Sequence, residues 1–214
     1  MLLAAQQALG LTPMAIEIGA AGGTLNTSIG AVISSDIRFD NGLDLVFNAH
    51  HIPLTDDSLD VIFMKDALHH IPDVELFFNE ALRVLRSGGG IICVDPYWRG
   101  IAKCIYRWFH PEPFNEKQLD WKFQSGVPTD SNQAMLYILL RRDRVIFETR
   151  FPEFEIMEFG SLVGPSYIAS GGVTAPRFVP TPVLMALRNI ENRTNLWRKF
   201  FALEYLVVFR KRPN

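Results

Sequence analysis

Ala15-Ile16-Glu17-Ile18-Gly19-Ala20-Ala21-Gly22-Gly23, with Asp36 some way behind it, is the stretch from which the rest of the chain can be read. Met14 to Ile18 is a short apolar run broken only by Glu17, the pattern of a strand buried within a parallel sheet. A glycine-dense turn follows at once, and then a polar stretch suited to opening a helix. Glycine at such a turn lets the backbone bend tightly and lets a ligand come close to the main chain. Ile33-Ser34-Ser35-Asp36 comes next, a second short strand whose closing acid lies seventeen residues after Gly19. In a nucleotide-binding unit a carboxylate at that position accepts two hydrogen bonds from a ribose diol. Strand, glycine turn, helix, strand, acid: the order points to a nucleoside cofactor.

The glycine spacing then chooses between cofactors. A dinucleotide fingerprint requires G-x-G-x-x-G, with the pyrophosphate seated on the following helix N-terminus. Here the positions that count are Gly19, Ala21 and Thr24, so two of the three fail. As E-x-G-x-G-x-G the match is Glu17, Gly19 and Gly23, with Ala21 replacing the central glycine at some conformational cost. This resembles the first motif of the class I S-adenosylmethionine (SAM)-dependent methyltransferases. The resemblance implies that Glu17 helps hold the cationic amino-acid end of the cofactor, where an acid suits an ammonium and would repel a pyrophosphate.

Further along, Asp44 to Ala49 reads as a third strand, His50-His51-Ile52-Pro53-Leu54 follows it, and Val61 to Met64 reads as a fourth strand. The segment from Asn48-Ala49 through Asp60-Val61-Ile62 is similar to the family pattern DA-x-x-(I/L)P(F/L)-x-D-x-S-(F/L)D, with Asn48 in place of the acid. Asn48 also suits a turn at the end of a strand. After the fourth strand, Lys65-Asp66-Ala67-Leu68-His69-His70-Ile71-Pro72-Asp73 leads into an amphipathic helix over Val74 to Leu85, with Asp73 as its N-cap. Ser87-Gly88-Gly89-Gly90 is expected to end that helix, and Ile91 to Val94 to form a fifth strand closing on Asp95-Pro96. The run D-x-LHHI-P-D … EALRVLRSGGGIICVDP carries the strongest likeness. On spacing and order over roughly the first hundred residues, the chain is identified as a member of the class I SAM-dependent methyltransferases, resembling the ubiquinone/menaquinone-methyltransferase-like branch.

The resemblance implies an α/β, Rossmann-like, seven-stranded, mostly parallel sheet with helices on both faces and an antiparallel last strand. It implies one domain over residues 1–214, with a cofactor-binding half (1–96) and a substrate-side half (97–214). The implied cofactor set is Glu17, Gly19, Ala20, Ala21, Gly23, Asp36, Ile37, Asn48, Ala49, His50, Lys65 and Asp66, with S-adenosylhomocysteine as the product. Short helices are expected over Leu2 to Leu9 and Thr24 to Ile29. The second half should hold helices over Ile101 to Phe109 and Gln133 to Leu140, separated by a bend at His110-Pro111-Glu112-Pro113-Phe114, where the prolines forbid a helix. Phe154 to Phe159 alternates as a sixth strand and Phe201 to Arg210 reads as the seventh. Between them an insertion, 161–199, holds an expected helix from Val183 to about Trp197 and suits either a lid or a packing element.

Composition narrows the function. With 48% hydrophobic and 21% charged residues the chain has the apolar mass for a full core. A net charge of −2 gives no electrostatic case for nucleic acid. Cys93 and Cys104 make no disulfide framework and read as reduced thiols. The first ten residues lack a basic leader pattern, and no apolar run reaches the length of a membrane span, so the expectation is a cytoplasmic protein.

Methyl transfer is an in-line displacement in which the protein mainly aligns donor and acceptor, and a base is needed only where the acceptor must lose a proton. Candidate catalytic groups are His69, His70, Asp95, Tyr106 and His110, the last grouped with Glu112. His69 and His70 equally suit a role in shaping the cofactor loop. No metal is expected, because adjacent residues of an extended segment point opposite ways and no cysteine stands at metal spacing. Aromatics paired with cations (Tyr106-Arg107-Trp108, Trp197-Arg198-Lys199-Phe200) suit a small or lipid-like acceptor reached by peripheral contact with a membrane surface. Two rivals stand beside the enzyme reading: a SAM-binding partner protein with a closed acceptor pocket, and a nicotinamide-dependent enzyme. The missing G-x-G-x-x-G spacing and the lack of a Tyr-x-x-x-Lys pair argue against the latter.

Overall fold

A computed structural model describes residues 14–21, 32–123, 130–162, 179–193 and 200–213. The expected helices over Leu2 to Leu9 and Thr24 to Ile29 lie outside these residues, as does Gly23. Seven strands are described: β1 (Ala15–Ile18), β2 (Val32–Asp36), β3 (Leu45–Val46), β4 (Leu59–Lys65), β5 (Leu85–Pro96), β6 (Phe154–Leu162) and β7 (Glu204–Lys211). They form one sheet in the order β3-β2-β1-β4-β5-β7-β6. The first five run parallel, and β7 lies antiparallel between β5 and β6. This is the expected sheet, with its antiparallel last strand.

β1 is buried along its length between β2 and β4, which is why it reads as an apolar run. From β1 the chain moves outward to β2 and β3 and then returns past β1 to β4. That reversal opens a crevice at the carboxyl ends of β1 and β4, where open α/β sheets bind ligands.

Helix α1 (Val74–Val84) follows the expected pattern closely. Asp73 caps it by accepting the Leu76 N–H at 3.0 Å. Its apolar face, Phe77, Phe78, Ala81 and Val84, is fully buried. Phe78 is the hub of an aromatic cluster, with ring centroids 4.8 Å from Phe147, 4.9 Å from Phe209 and 5.6 Å from Phe154. Burying one such ring contributes roughly 1.5–3 kcal/mol. The cluster therefore ties α1 to β6, β7 and helix α3 (Arg144–Arg150). Helix α2 (Gly100–Trp108) and helix α4 (Thr181–Arg193) are the other regular helices among the described residues, with a helical run of Met135–Tyr137 and a π turn of Ile138–Arg142 preceding α3.

Two expectations are corrected. The Gly88 to Gly90 run does not terminate the helix but lies inside β5, since α1 ends at Val84. A Cβ on Gly89 would stand 2.8 Å from the Asp60 carbonyl and one on Gly90 would stand 2.9 Å from the Phe209 carbonyl, so these glycines let β5 lie close to its neighbours. The third strand is shorter than Asp44 to Ala49. Asn48 ends it by accepting the His50 N–H on Oδ1 at 3.0 Å and the His51 N–H on its backbone carbonyl at 2.8 Å.

Candidate functional site

The crevice encloses a cavity of about 490 Å³ lined by the ends of β1, β2 and β4 and the segments after them. Ile18, Gly19 and Ala21 form one wall, Asp36, Ile37 and Arg38 a second, and Phe47, Asn48 and Ala49 a third. Asp66, Ala67, His70, Ile71, Pro72 and Asp130 close the remaining side.

The turn after β1 is held by two backbone N–H groups, of Gly19 and Ala20, which both donate to the Ser35 carbonyl at 3.0 and 2.9 Å. Gly19 has φ +79°, and a Cβ there would lie 2.6 Å from the Ala67 Cβ. Glycine is thus required both by the backbone and by the approach of the turn after β1 to the turn after β4. Ala21, the residue in place of the family glycine, takes φ +41° and keeps the left-handed turn at a cost of about 1 kcal/mol. Asp66 does the same at φ +51°. Strained residues of this kind persist where surrounding structure over-determines them, and they gather at ligand sites.

Asp36 closes β2 with its carboxylate at the cavity. One oxygen accepts the Ala21 N–H at 3.2 Å and the other accepts the Arg38 N–H at 3.0 Å. A carboxylate has about four acceptor sites, so two remain for a diol. The Asn48 side-chain oxygen is engaged in its own turn, leaving the amide NH₂ to donate to a ring nitrogen. Three acids, Asp36, Asp66 and Asp130, face one arginine, Arg38, around the cavity. That balance suits a nucleoside carrying a positive charge and disfavours a pyrophosphate. The donor set and the glycine-dependent turn therefore fit SAM.

Not every predicted residue reaches the cavity. Gly19, Ala21, Asp36, Ile37, Asn48, Ala49 and Asp66 line it, while Glu17 and Ala20 are buried beside it. His50 turns away, with Nε2 accepting the Asp73 N–H at 3.2 Å. Lys65 points toward Asp66 and Glu204 as an ion pair. Ile18, Arg38, Phe47, Ala67, Ile71, Pro72 and Asp130 are the additions. Phe47 had a readable signal, an apolar residue beside Asn48; Asp130 had none, because no motif surrounds it.

Of the catalytic candidates, His70 alone lines the cavity. The segment is a 3₁₀ turn, Leu68–His70, not the extended doublet that the sequence reading assumed. The His69 and His70 rings accordingly lie side by side, with centroids 4.3 Å apart. His69 is buried, with Nδ1 2.9 Å from Asp95 Oδ1 and Nε2 3.2 Å from Glu112 Oε2. Burial opposes charge on His69, but the Asp95 and Glu112 carboxylates outweigh it and push the pKa up to about 10. Burial raises the Asp95 carboxyl, and His69 draws it back. Burial and then the charge of His69 lower the His70 pKa, so that ring is neutral near pH 7. Glu112 is raised by burial but more strongly lowered by hydrogen bonds from His69 and Gln133, to about 2. Tyr106 is turned to the Leu203 carbonyl, 2.9 Å from its hydroxyl, and His110 Nδ1 lies 2.6 Å from Gln133 Nε2. Glu112 and Gln133 thus link His110 to His69. Gln133, in an unremarkable polar stretch, carried no sequence signal.

The fold is Rossmann-like, and the lining of its cavity suits a nucleoside cofactor. Residues 29–93 match the model of a methyltransferase domain family. The demethylmenaquinone methyltransferase of Listeria welshimeri is 30% identical over 70 residues, covering 30% of this chain and 30% of that protein. The ubiquinone/menaquinone biosynthesis C-methyltransferase of Rickettsia typhi is 32% identical over 73 residues, 33% of this chain and 29% of that protein. The chain therefore aligns with less than a third of the length of these curated relatives. Among solved structures, a SAM-dependent methyltransferase of Archaeoglobus fulgidus superposes with a TM-score of 0.56 at 12% identity, covering 98% of this chain and 92% of that one. The YcgJ protein of Bacillus subtilis gives 0.53 at 16% identity, with 100% and 98% covered. The matched domain model, the weak likeness to menaquinone and ubiquinone methyltransferases and the shared fold together support a class I SAM-dependent methyltransferase.

Proposed function

We propose that this protein transfers a methyl group from SAM to a small, apolar or lipid-like acceptor. The observation that carries the reading is the cavity at the β1/β4 reversal, where an acid-rich lining with Asp36 at the end of β2 meets a glycine-dependent turn. When bound, SAM supplies a methyl group on a sulfonium, an electrophile that needs alignment more than activation. Gly19 to Ala21 hold the turn open to it, Asp36 takes the ribose hydroxyls, and Asn48 and Ala49 read the adenine. Asp66 and the buried Glu17 carry negative charge toward the cationic end. His70, neutral and at the cavity wall, is the group placed to take a proton from an acceptor hydroxyl or activated carbon.

An apolar acceptor is supported by the end of α2, where Trp108 and Phe109 are 74% and 82% exposed. Arg107 lies 5.8 Å from the Trp108 ring, an amphipathic pairing suited to a membrane boundary. No helix among the described residues is long and apolar enough to cross a membrane. The test is transfer of labelled methyl from SAM to quinols and phenols presented in anionic liposomes or free in solution. Labelled product that falls in His70→Gln supports the reading. Absence of transfer to any hydroxylated or activated-carbon acceptor, with SAM bound, would replace the enzyme reading by that of a SAM-binding partner protein. Transfer only to water-soluble acceptors, with no liposome binding at low salt, would remove the lipid-like acceptor.

A further inference from the structure

Beside the cofactor cavity three ligating side chains converge from two separate segments. His69 and His70 come from the 3₁₀ turn after β4, and Glu112 comes from the bend after α2. His69 Nε2 is 3.2 Å from Glu112 Oε2, and His70 Nε2 is 3.5 Å from Glu112 Oε1. One ligand atom from each residue falls within 4.8 Å of the others. Zinc binds imidazole nitrogen at about 2.0–2.1 Å and carboxylate oxygen at about 2.0–2.2 Å, so ligand atoms on a tetrahedral ion stand about 3.3 Å apart. The 3.2 Å between His69 Nε2 and Glu112 Oε2 matches that edge, and His70 Nε2 lies 3.5 Å from the other oxygen of the same carboxylate, so both imidazoles face Glu112.

The surroundings are those of a metal ligand set rather than of a plain ion pair. His69 Nδ1 lies 2.9 Å from the fully buried Asp95, which holds the Nδ1 proton, so that Nε2 is the nitrogen that becomes a ligand once an ion displaces the proton it shares with Glu112. The second Asp95 oxygen has no hydrogen-bond partner among the described residues, so the carboxylate is committed to the imidazole. A hydrogen bond to the Asp130 backbone engages His70. Gln133 Nε2 donates to Glu112 Oε2 at 2.8 Å and orients the carboxylate. Each prospective ligand therefore has an outer partner that sets its direction.

We propose that His69, His70 and Glu112 form a binding site for one divalent transition ion of the zinc class, with Asp95 and Gln133 as its outer shell. Two imidazoles and a carboxylate, with no thiolate, suit a borderline ion, and three protein ligands leave a fourth position for water or an acceptor oxygen. Binding replaces the proton on His69. In the metal-bound protein the task of readying an acceptor hydroxyl passes from His70 to the ion, which lowers the pKa of an oxygen bound to it. The competing occupant is that proton alone, as an imidazolium bridging Asp95 and Glu112.

The test is a titration of the untagged, chelator-stripped full chain with Co²⁺, read by visible absorption, followed by competition with Zn²⁺. The expected result is saturation at one equivalent with the strong absorption of a four-coordinate site, displaced by Zn²⁺. His70→Ala and Glu112→Gln should each weaken binding at least 10-fold, and Asp95→Asn about 10- to 100-fold while the ligands remain. Circular dichroism of each variant serves as the folding control, and Glu112→Gln keeps the shape of the side chain. No saturable absorption in the wild-type chain would overturn the proposal without any variant, as would wild-type binding in His70→Ala and Glu112→Gln. The titration needs no SAM, so its failure is separable from failure of the methyltransferase reading.

Discussion

Gly19→Ala tests how the turn after β1 is built. Placing an L-residue at φ +79° costs about 1–2 kcal/mol. The added Cβ would lie 2.6 Å from the Ala67 Cβ, where ordinary contact begins at 3.4 Å, so the two turns must part. Overpacking of that kind costs about 1–3 kcal/mol. The loss of unfolded-state freedom returns about 0.4–1 kcal/mol. The net expectation is a loss of about 2–4 kcal/mol, measured as the urea unfolding free energy by tryptophan fluorescence. Ala67→Gly in the same background removes the atom that is struck but leaves the backbone strain. A double-mutant cycle should therefore show a favourable coupling of about 1–3 kcal/mol between the two changes. A loss below about 0.5 kcal/mol in Gly19→Ala, or no coupling in the cycle, would refute the argument that the two turns are held in contact.

Ala21→Gly removes strain at φ +41° and should raise stability by a few tenths to about 1 kcal/mol in the same assay, whereas a loss would mean that the alanine methyl packs favourably. Glu158 bonds to Arg141, Arg144 and Tyr205; burial raises its pKa, but these partners lower it more, to about 2. Its contribution is complete above the ordinary carboxylate pKa and is lost as pH falls from about 4.5 toward about 2, so the acid branch of stability should flatten in Glu158→Gln. Trp121 Nε1 donates to Asp143 at 2.9 Å in a buried setting, and Trp121→Phe should cost about 1–3 kcal/mol in thermal or urea unfolding.

Much of the sheet was legible because burial on both faces writes apolar runs, and β1, β2 and β4 stand within one or two residues of where those runs place them. β5 was misjudged at its start. Three successive glycines signal a helix stop when only chain-local conformation is considered, but Gly89 and Gly90 answer to carbonyls of Asp60 and Phe209, contacts that exist only once β4 and β7 are alongside. β3 was drawn too long because Asn48 has the hydrogen-bonding capacity to end a strand but does not announce the turn it chooses.

The wall that carries Gly19, Asp36 and Asn48 was more legible as cavity lining than the wall opposite. Gly19, Asp36 and Asn48 sit in motifs whose spacing reflects one chemistry, whereas Asp130 and Gln133 reach the site through the packing of a segment without a motif. The His69-His70 doublet was read as extended and so as unable to chelate. The 3₁₀ turn corrects the geometry by bringing the rings together, and Glu112, between Pro111 and Pro113, lies against His69.

The central claim is that this cavity holds SAM, and calorimetric titration of the purified protein with S-adenosylhomocysteine, and separately with NAD, tests it most directly. The account predicts micromolar binding of the former alone, weakened at least 10-fold in Asp36→Ala, since hydrogen bonds to a charged partner contribute about 1.5–3 kcal/mol. Binding of NAD in its place, or of neither ligand, or binding indifferent to Asp36, would contradict it.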